Sequence, residues 1–138
     1  MEKKQYTEDQ PTAAVVLSIH PQYAQAIYQH KKALELRKRP PKIPISSRVW
    51  IYETAPVYKV TGYFTFIGFF RKEKTKLWQK FHKLMAIEKT DYDNYFRNSE
   101  YAYAWLVYKP RTIKPRDITD FGMSHPPQYF AKTSVLTL

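Results

Sequence analysis

Residues 57–70, VYKVTGYFTFIGFF, place the strictest condition on the fold. Valines, threonines and aromatics dominate the run and Lys59 is its one charge, so it predicts a β-strand. It is long for a strand, and Gly62 and Gly68 fall at the same parity as Phe64 and Phe66, on one side of an extended chain. A glycine at such positions lets a strand bend hard, so the segment is expected to curve around a small barrel. The most apolar part, residues 60–70, is about half the roughly 20 residues a membrane-crossing helix needs, and Thr61, Thr65 and both glycines interrupt it. No membrane segment is expected.

The rest of the chain supplies partners for that strand. Residues 13–19 form a short β-branched run that stops at His20-Pro21, where Pro21 suits a first helical turn. Tyr23, Ala24, Ile27 and Tyr28 then recur at helical spacing, predicting a helix to about His30. Residues 32–37 alternate as a strand, with Leu34 and Leu36 on one face and Ala33, Glu35 and Arg37 on the other. Arg39-Pro40-Pro41-Lys42-Ile43-Pro44 is a stiff loop. A strand over 48–54 leads through a turn at Ala55-Pro56 into the long curved one. Residues 74–86 predict an amphipathic helix with Leu77, Phe81, Leu84 and Met85 as its apolar stripe and Lys76, Lys80 and Lys83 along another side. Thr90 reads as the N-cap of a short helix to Arg97, 101–108 as a strand, and 117–122 as a helical turn ended by glycine before a loop-rich tail. The expected architecture is α+β: a small curved barrel of mostly antiparallel strands, tight turns, little room for parallel crossovers, and flanking helices. Residues 1–12 are polar, without the apolar core of a signal peptide, and are expected to be a flexible tail before a single domain over 13–138.

Among 138 residues, 23 Lys and Arg face 12 Asp and Glu, a net charge of +11. Hydrophobic residues at 43% are enough to bury a core, which excludes a disordered basic tail. The excess charge is concentrated. Residues 31–42 hold six basic side chains against Glu35, residues 71–89 seven against Glu73 and Glu88, and residues 109–116 four against none. Such clustering favours a polyanionic partner, because neutralised phosphates release counterions and the field steers the encounter. Lys38, Arg39, Lys76, Lys80, Lys83 and Arg111 are the expected backbone contacts, alongside Lys32 and Arg37. The bland alternative is a solvated surface. The absence of cysteine excludes disulfide scaffolds, thiolate zinc sites and cysteine nucleophiles, and a cytoplasmic location is expected. His20, His30, His82 and His125 lack ligand spacing, so neither metal nor other cofactor is expected. Tyr23, Trp50, Tyr52 and Tyr63 have rings that stack on unpaired bases, although strand aromatics are more often core.

Lys32, Glu35 and Arg37 form the densest chemistry-bearing group, an ammonium, a carboxylate and a guanidinium within six residues. In a partly dry cleft they would supply acid–base chemistry and a bidentate clamp for phosphate. On a wet surface they would be a weak ion pair. Ser18 has no obvious His and Asp companions, so a hydrogen bond within the cleft suits it better than a triad.

The run Ser18-Ile19-His20-Pro21-Gln22-Tyr23-Ala24, then Ile27, then Lys32-Ala33-Leu34-Glu35-Leu36-Arg37 resembles the ASCH domain, whose core motif is Gly-x-Lys-x-x-Glu-x-Arg. Lys32, Glu35 and Arg37 fill three of its four positions, and His30 stands in the glycine position. The likeness continues in Arg48-Val49-Trp50-Ile51-Tyr52-Glu53-Thr54-Ala55-Pro56-Val57, in Tyr101-Ala102-Tyr103-Ala104 and in Pro126-Pro127-Gln128-Tyr129-Phe130, covering about residues 15–130. The resemblance implies a PUA-like β-barrel, an architecture associated with RNA binding, with a cleft formed by Lys32, Glu35 and Arg37 and neighboured by Ser18 and Tyr52. One branch of the family is an amidohydrolase acting on a modified cytidine, with a threonine where this chain has Glu35, and other members are linked to ribonuclease activity. The expected function is RNA binding with a nucleotide or base in the cleft. The alternative is a small hydrolase acting on a modified nucleoside or on RNA, with Lys32 as base or electrophile, Glu35 as proton carrier and Arg37 as clamp.

Overall fold

In the computed structural model, which describes residues 11–138, the first strand β1 (Ala14–Ile19) is buried along its whole length. Most of the expected tail, residues 1–10, lies outside the described residues. Pro21 opens α1 (Pro21–Tyr28), which buries Ala24 and Ile27. Then come β2 (Leu34–Arg37), β3 (Arg48–Glu53) and the long β4 (Lys59–Glu73). Helices α2 (Lys74–Phe81) and α3 (Lys89–Tyr95) precede β5 (Tyr101–Arg116), and β6 (Phe130–Thr133) ends the series. The six strands make one sheet in the order β2-β5-β4-β3-β1-β6.

Two topological expectations are revised. β1 and β3 pair in parallel, from Ala14 opposite Arg48 to Ile19 opposite Glu53, so residues 20–47, with α1 and β2, carry a crossover that short turns left no place for. The expected barrel is not closed: β2 and β6 are the two edges of the ladder. Side chains span the seam instead. Arg37 Nη2 in β2 donates to the Ser18 carbonyl in β1 at 2.8 Å, and the Tyr129 hydroxyl donates to the Arg39 carbonyl at 3.2 Å.

The curvature of β4 comes from irregularities in its pairing as well as from its glycines. Its register with β5 shifts between Val60 and Gly62, between Tyr63 and Thr65, and between Phe66 and Phe69, and Gly68 sits in the last of these at φ +134°. Gly62 meets a different need. A Cβ there would collide with the Arg111 carbonyl of β5 and lie 2.5 Å from the Tyr28 hydroxyl of α1, which bonds Thr61 Oγ1 at 2.8 Å.

The remaining differences are local. The helix expected over 74–86 ends at Phe81 and continues as a tighter turn over His82–Leu84, so Leu77 and Met85 are buried while Leu84 is exposed. Its N-terminus is capped by Glu73, whose carboxylate accepts from Thr75 N and Lys76 N. α3 has Glu88, not Thr90, as its N-cap. β5 runs on to Arg116, so the third basic segment is strand, and part of the tail pairs with β1 as β6. Among the described residues no helix is long and apolar enough to cross a membrane.

One cluster, around Leu17, Ile27, Ile51, Phe64 and Trp105, packs α1 against the sheet. A second, around Leu36, Leu77, Met85, Tyr92 and Phe96, packs α2 and α3 against β2 and β5. β2 thus stands between two cores, with Leu34 and Leu36 toward the second, which leaves Glu35 and Arg37 facing the other way. The turn before β2 carries His30 at φ +61°, the left-handed conformation that glycine adopts without strain. His30→Gly is expected to raise stability by about 0.5–1 kcal/mol, read as a higher urea midpoint. An unchanged or lower midpoint would refute that account.

Candidate functional site

At the seam between β2 and the segment leading into β6 lies a cleft of about 460 Å³. The end of β1 contributes Ser18, α1 contributes Tyr23, and β2 contributes Glu35 and Arg37, with Lys32 just ahead of it. α3 closes one side with Asp91 and Tyr95, four residues apart and so on one helix face.

Lys32 is 3% exposed. Its ammonium donates to the Met85 carbonyl at 2.6 Å and lies 5.1 Å from the centre of the Tyr23 ring. Burial lowers its pKa from the ordinary 10.5, the Glu35 charge opposes that shift, and the Arg37 charge adds to it. Glu35 is also buried, with Oε1 3.3 Å from Arg37 Nε. Its second oxygen, Oε2, is buried with no hydrogen-bond partner. A carboxylate oxygen in that position is costly unless a donor reaches it, and Glu35 is one of the residues lining the cleft. Arg37 is held from two sides, by its bond to the Ser18 carbonyl and by the Tyr129 ring, 5.1 Å from the guanidinium. Burial pushes the Tyr95 hydroxyl up, with Arg37 opposing.

The structure brings together Lys32, Glu35, Arg37 and Ser18, as expected from the motif. The Ser18 hydroxyl donates to the Pro127 carbonyl at 2.6 Å, so it ties the segment before β6 to β1. Tyr52 does not join them: it is 4% exposed and packs with Val16, Trp50 and Phe121 in a third core cluster. Trp50 is likewise buried, so neither ring is open to a base. Lys38 reaches the cleft rim, its ammonium 4.6 Å from the centre of the Tyr95 ring, and Arg39 is exposed beyond it. Lys76 and Lys80 on α2, Lys83 in the following turn, and Arg111 on β5 are exposed and do not line the cleft. Sequence reasoning missed Asp91, Tyr95 and Thr54 as lining residues. The four-residue spacing of Asp91 and Tyr95 was a signal, but it has meaning only once α3 is known to pack beside β2. Thr54 Oγ1 lies 3.1 Å from His20 Nδ1 at the cleft edge.

The six-stranded sheet thus carries Lys32, Glu35 and Arg37 along one cleft at its seam. The ASCH domain family model matches residues 17–116, and the chain belongs to this family. It is similar to an ASCH domain-containing ribonuclease from Zymomonas mobilis, 33% identical over 100 residues, which span 72% of this chain and 68% of that protein. The crystal structure of ASCH from Zymomonas mobilis superposes with a TM-score of 0.79 at 30% identity, covering 86% of this chain and 85% of that one. The chain is also similar to the large ribosomal subunit protein uL22 of Ureaplasma parvum serovar 3, 27% identical over 126 residues. That match covers 89% of this chain but 40% of that protein.

Proposed function

We propose that this protein binds single-stranded RNA and takes one nucleotide into the cleft beside Glu35. The observation that carries the reading is the buried, unpartnered Glu35 Oε2 next to two cations in a space of about 460 Å³. A nucleobase edge offers the N–H donor that this oxygen lacks, and its carbonyls and the attached phosphate suit Lys32 and Arg37. Tyr23 and Tyr95 line the same space as rings for stacking. The chain's charge of +11 and its ribonuclease relative both support RNA as the ligand class.

The test is fluorescence anisotropy with a labelled single-stranded RNA across a salt series. Affinity is expected to fall steeply with salt, and Lys32→Met to weaken it by about tenfold, the loss of one charge-assisted contact. Lys76→Ala with Lys80→Ala should flatten the log–log salt slope by about 0.7 for each phosphate contact removed. Salt-indifferent binding would defeat the reading.

A second reading, RNA cleavage, is favoured by the ribonuclease relative and by the lowered pKa of Lys32, which brings its amine closer to service as a base. Turnover of single-stranded RNA by the wild type but not by Lys32→Ala would establish it. Equal product from the two would mark the activity as a contaminant.

A further inference from the structure

β2, β5 and β4 are consecutive in the sheet, and their register continues the cleft wall outward. Arg37 pairs with Tyr103, and Tyr103 with Arg71; one step along, Glu35 pairs with Trp105, and Trp105 with Phe69. Residues in register, and alternate residues along a strand, share a face, so Phe69, Arg71, Tyr101 and Tyr103 lie on the face that carries Glu35 and Arg37. Core packing does not account for these side chains. Phe69 is 41% and Tyr101 36% exposed, Arg71 is exposed, and Tyr103 is half-buried. They are nevertheless ordered against one another: the Arg71 guanidinium lies 3.7 Å from the centre of the Tyr101 ring, and the Phe69 and Tyr103 rings are 5.9 Å apart. Hydrogen bonding to the Tyr103 side chain, and more weakly to that of Tyr101, raises the pKa of Arg71, which remains a cation at every working pH.

An exposed row of rings interleaved with a guanidinium has a stacking face for a base and a charge for the phosphate that follows it. From Arg37 to Arg71 it extends over two strand spacings, about 10 Å. We propose that this strip is a stacking platform for single-stranded RNA, receiving the one or two nucleotides adjacent to the one held in the cleft. It rests on the reading of the cleft as an RNA site. The strip adds affinity for longer strands without choosing among bases, since every base has a face to stack, while discrimination stays with Glu35.

The experiment compares a mononucleotide with a single-stranded hexanucleotide by competition against a labelled RNA. The proteins are the wild type, Lys32→Met, Phe69→Ala with Tyr101→Ala, and Phe69→Trp with Tyr101→Trp, with melting curves to confirm that each folds. The wild type is expected to prefer the hexanucleotide. The alanine pair should lose about tenfold or more of that preference with mononucleotide affinity unchanged, and the tryptophan pair should keep it. Three results would overturn the strip: full preference retained by the alanine pair, equal losses for both ligands, or a tryptophan pair as weak as the alanine pair. Loss of hexanucleotide binding in the alanine pair with none in Lys32→Met would support the strip and overturn the cleft reading instead. No RNA binding by the wild type would overturn both.

Discussion

Glu35→Ala is expected to cost about 3 kcal/mol of stability, the price of leaving buried cations without their counter-charge. Glu35 is ion-paired with Arg37 at 3.3 Å, and its charge also opposes the desolvation of Lys32. The loss should appear as a lower urea midpoint with an unchanged slope. Because the folded pKa of Lys32 lies below its unfolded value, the unfolded chain binds more protons between the two, and stability should rise with pH through that window. Removing Glu35 lowers the folded pKa further and widens the window, so the variant's stability should depend more strongly on pH than the wild type's. Adding Lys32→Met removes one of the stranded charges and should recover part of the loss. Strictly additive effects of the two substitutions would show that Glu35 and Lys32 are not coupled.

Gly62→Ala is the second large expectation, a loss of about 3 kcal/mol. The added methyl group has two obstacles, the Tyr28 ring and hydroxyl of α1 and the Arg111 carbonyl of β5. A side chain can swing away, whereas a main-chain carbonyl within a paired strand cannot do so without losing register. Tyr28→Ala in the same chain should therefore fail to rescue Gly62→Ala. Thermal melts of the two single variants and the double variant check this, and full rescue would place the obstacle in α1 alone.

The legible parts of the fold were those in which composition and spacing agree. The β-branched run before Pro21, the proline-started helix and the alternation around Leu34 and Leu36 each encode an element and the face it buries. That Lys32, Glu35 and Arg37 line one cleft was legible for the same reason: Glu35 and Arg37 share a strand face, and the motif spacing joins Lys32 to them. What stayed hidden depends on neighbours. Phe130–Thr133 has too few residues for a pattern and becomes a strand because β1 offers an edge. The parallel pairing of β1 with β3 is a choice among partners that local spacing does not express. The resemblance places Tyr52 beside the cleft, yet its side chain is buried in the cluster that holds Trp50 and Phe121. The steady helical pattern through Leu84 concealed the tightening of the chain after Phe81. That tightening positions the Met85 carbonyl to accept from Lys32.

On the proposed reading, the unpaired seam between β2 and β6 would govern how a nucleotide enters the cleft. Had the two edges zipped together, the cleft would have been closed along that side, and each entry would require main-chain bonds to break. With the edges apart, only side chains cross there, Arg37 to the Ser18 carbonyl and Tyr129 to the Arg39 carbonyl, and entry would need no main-chain bond to break. Entry at such a doorway would proceed at the speed of encounter and be hastened by the protein's positive field, with no wait for the sheet to come undone.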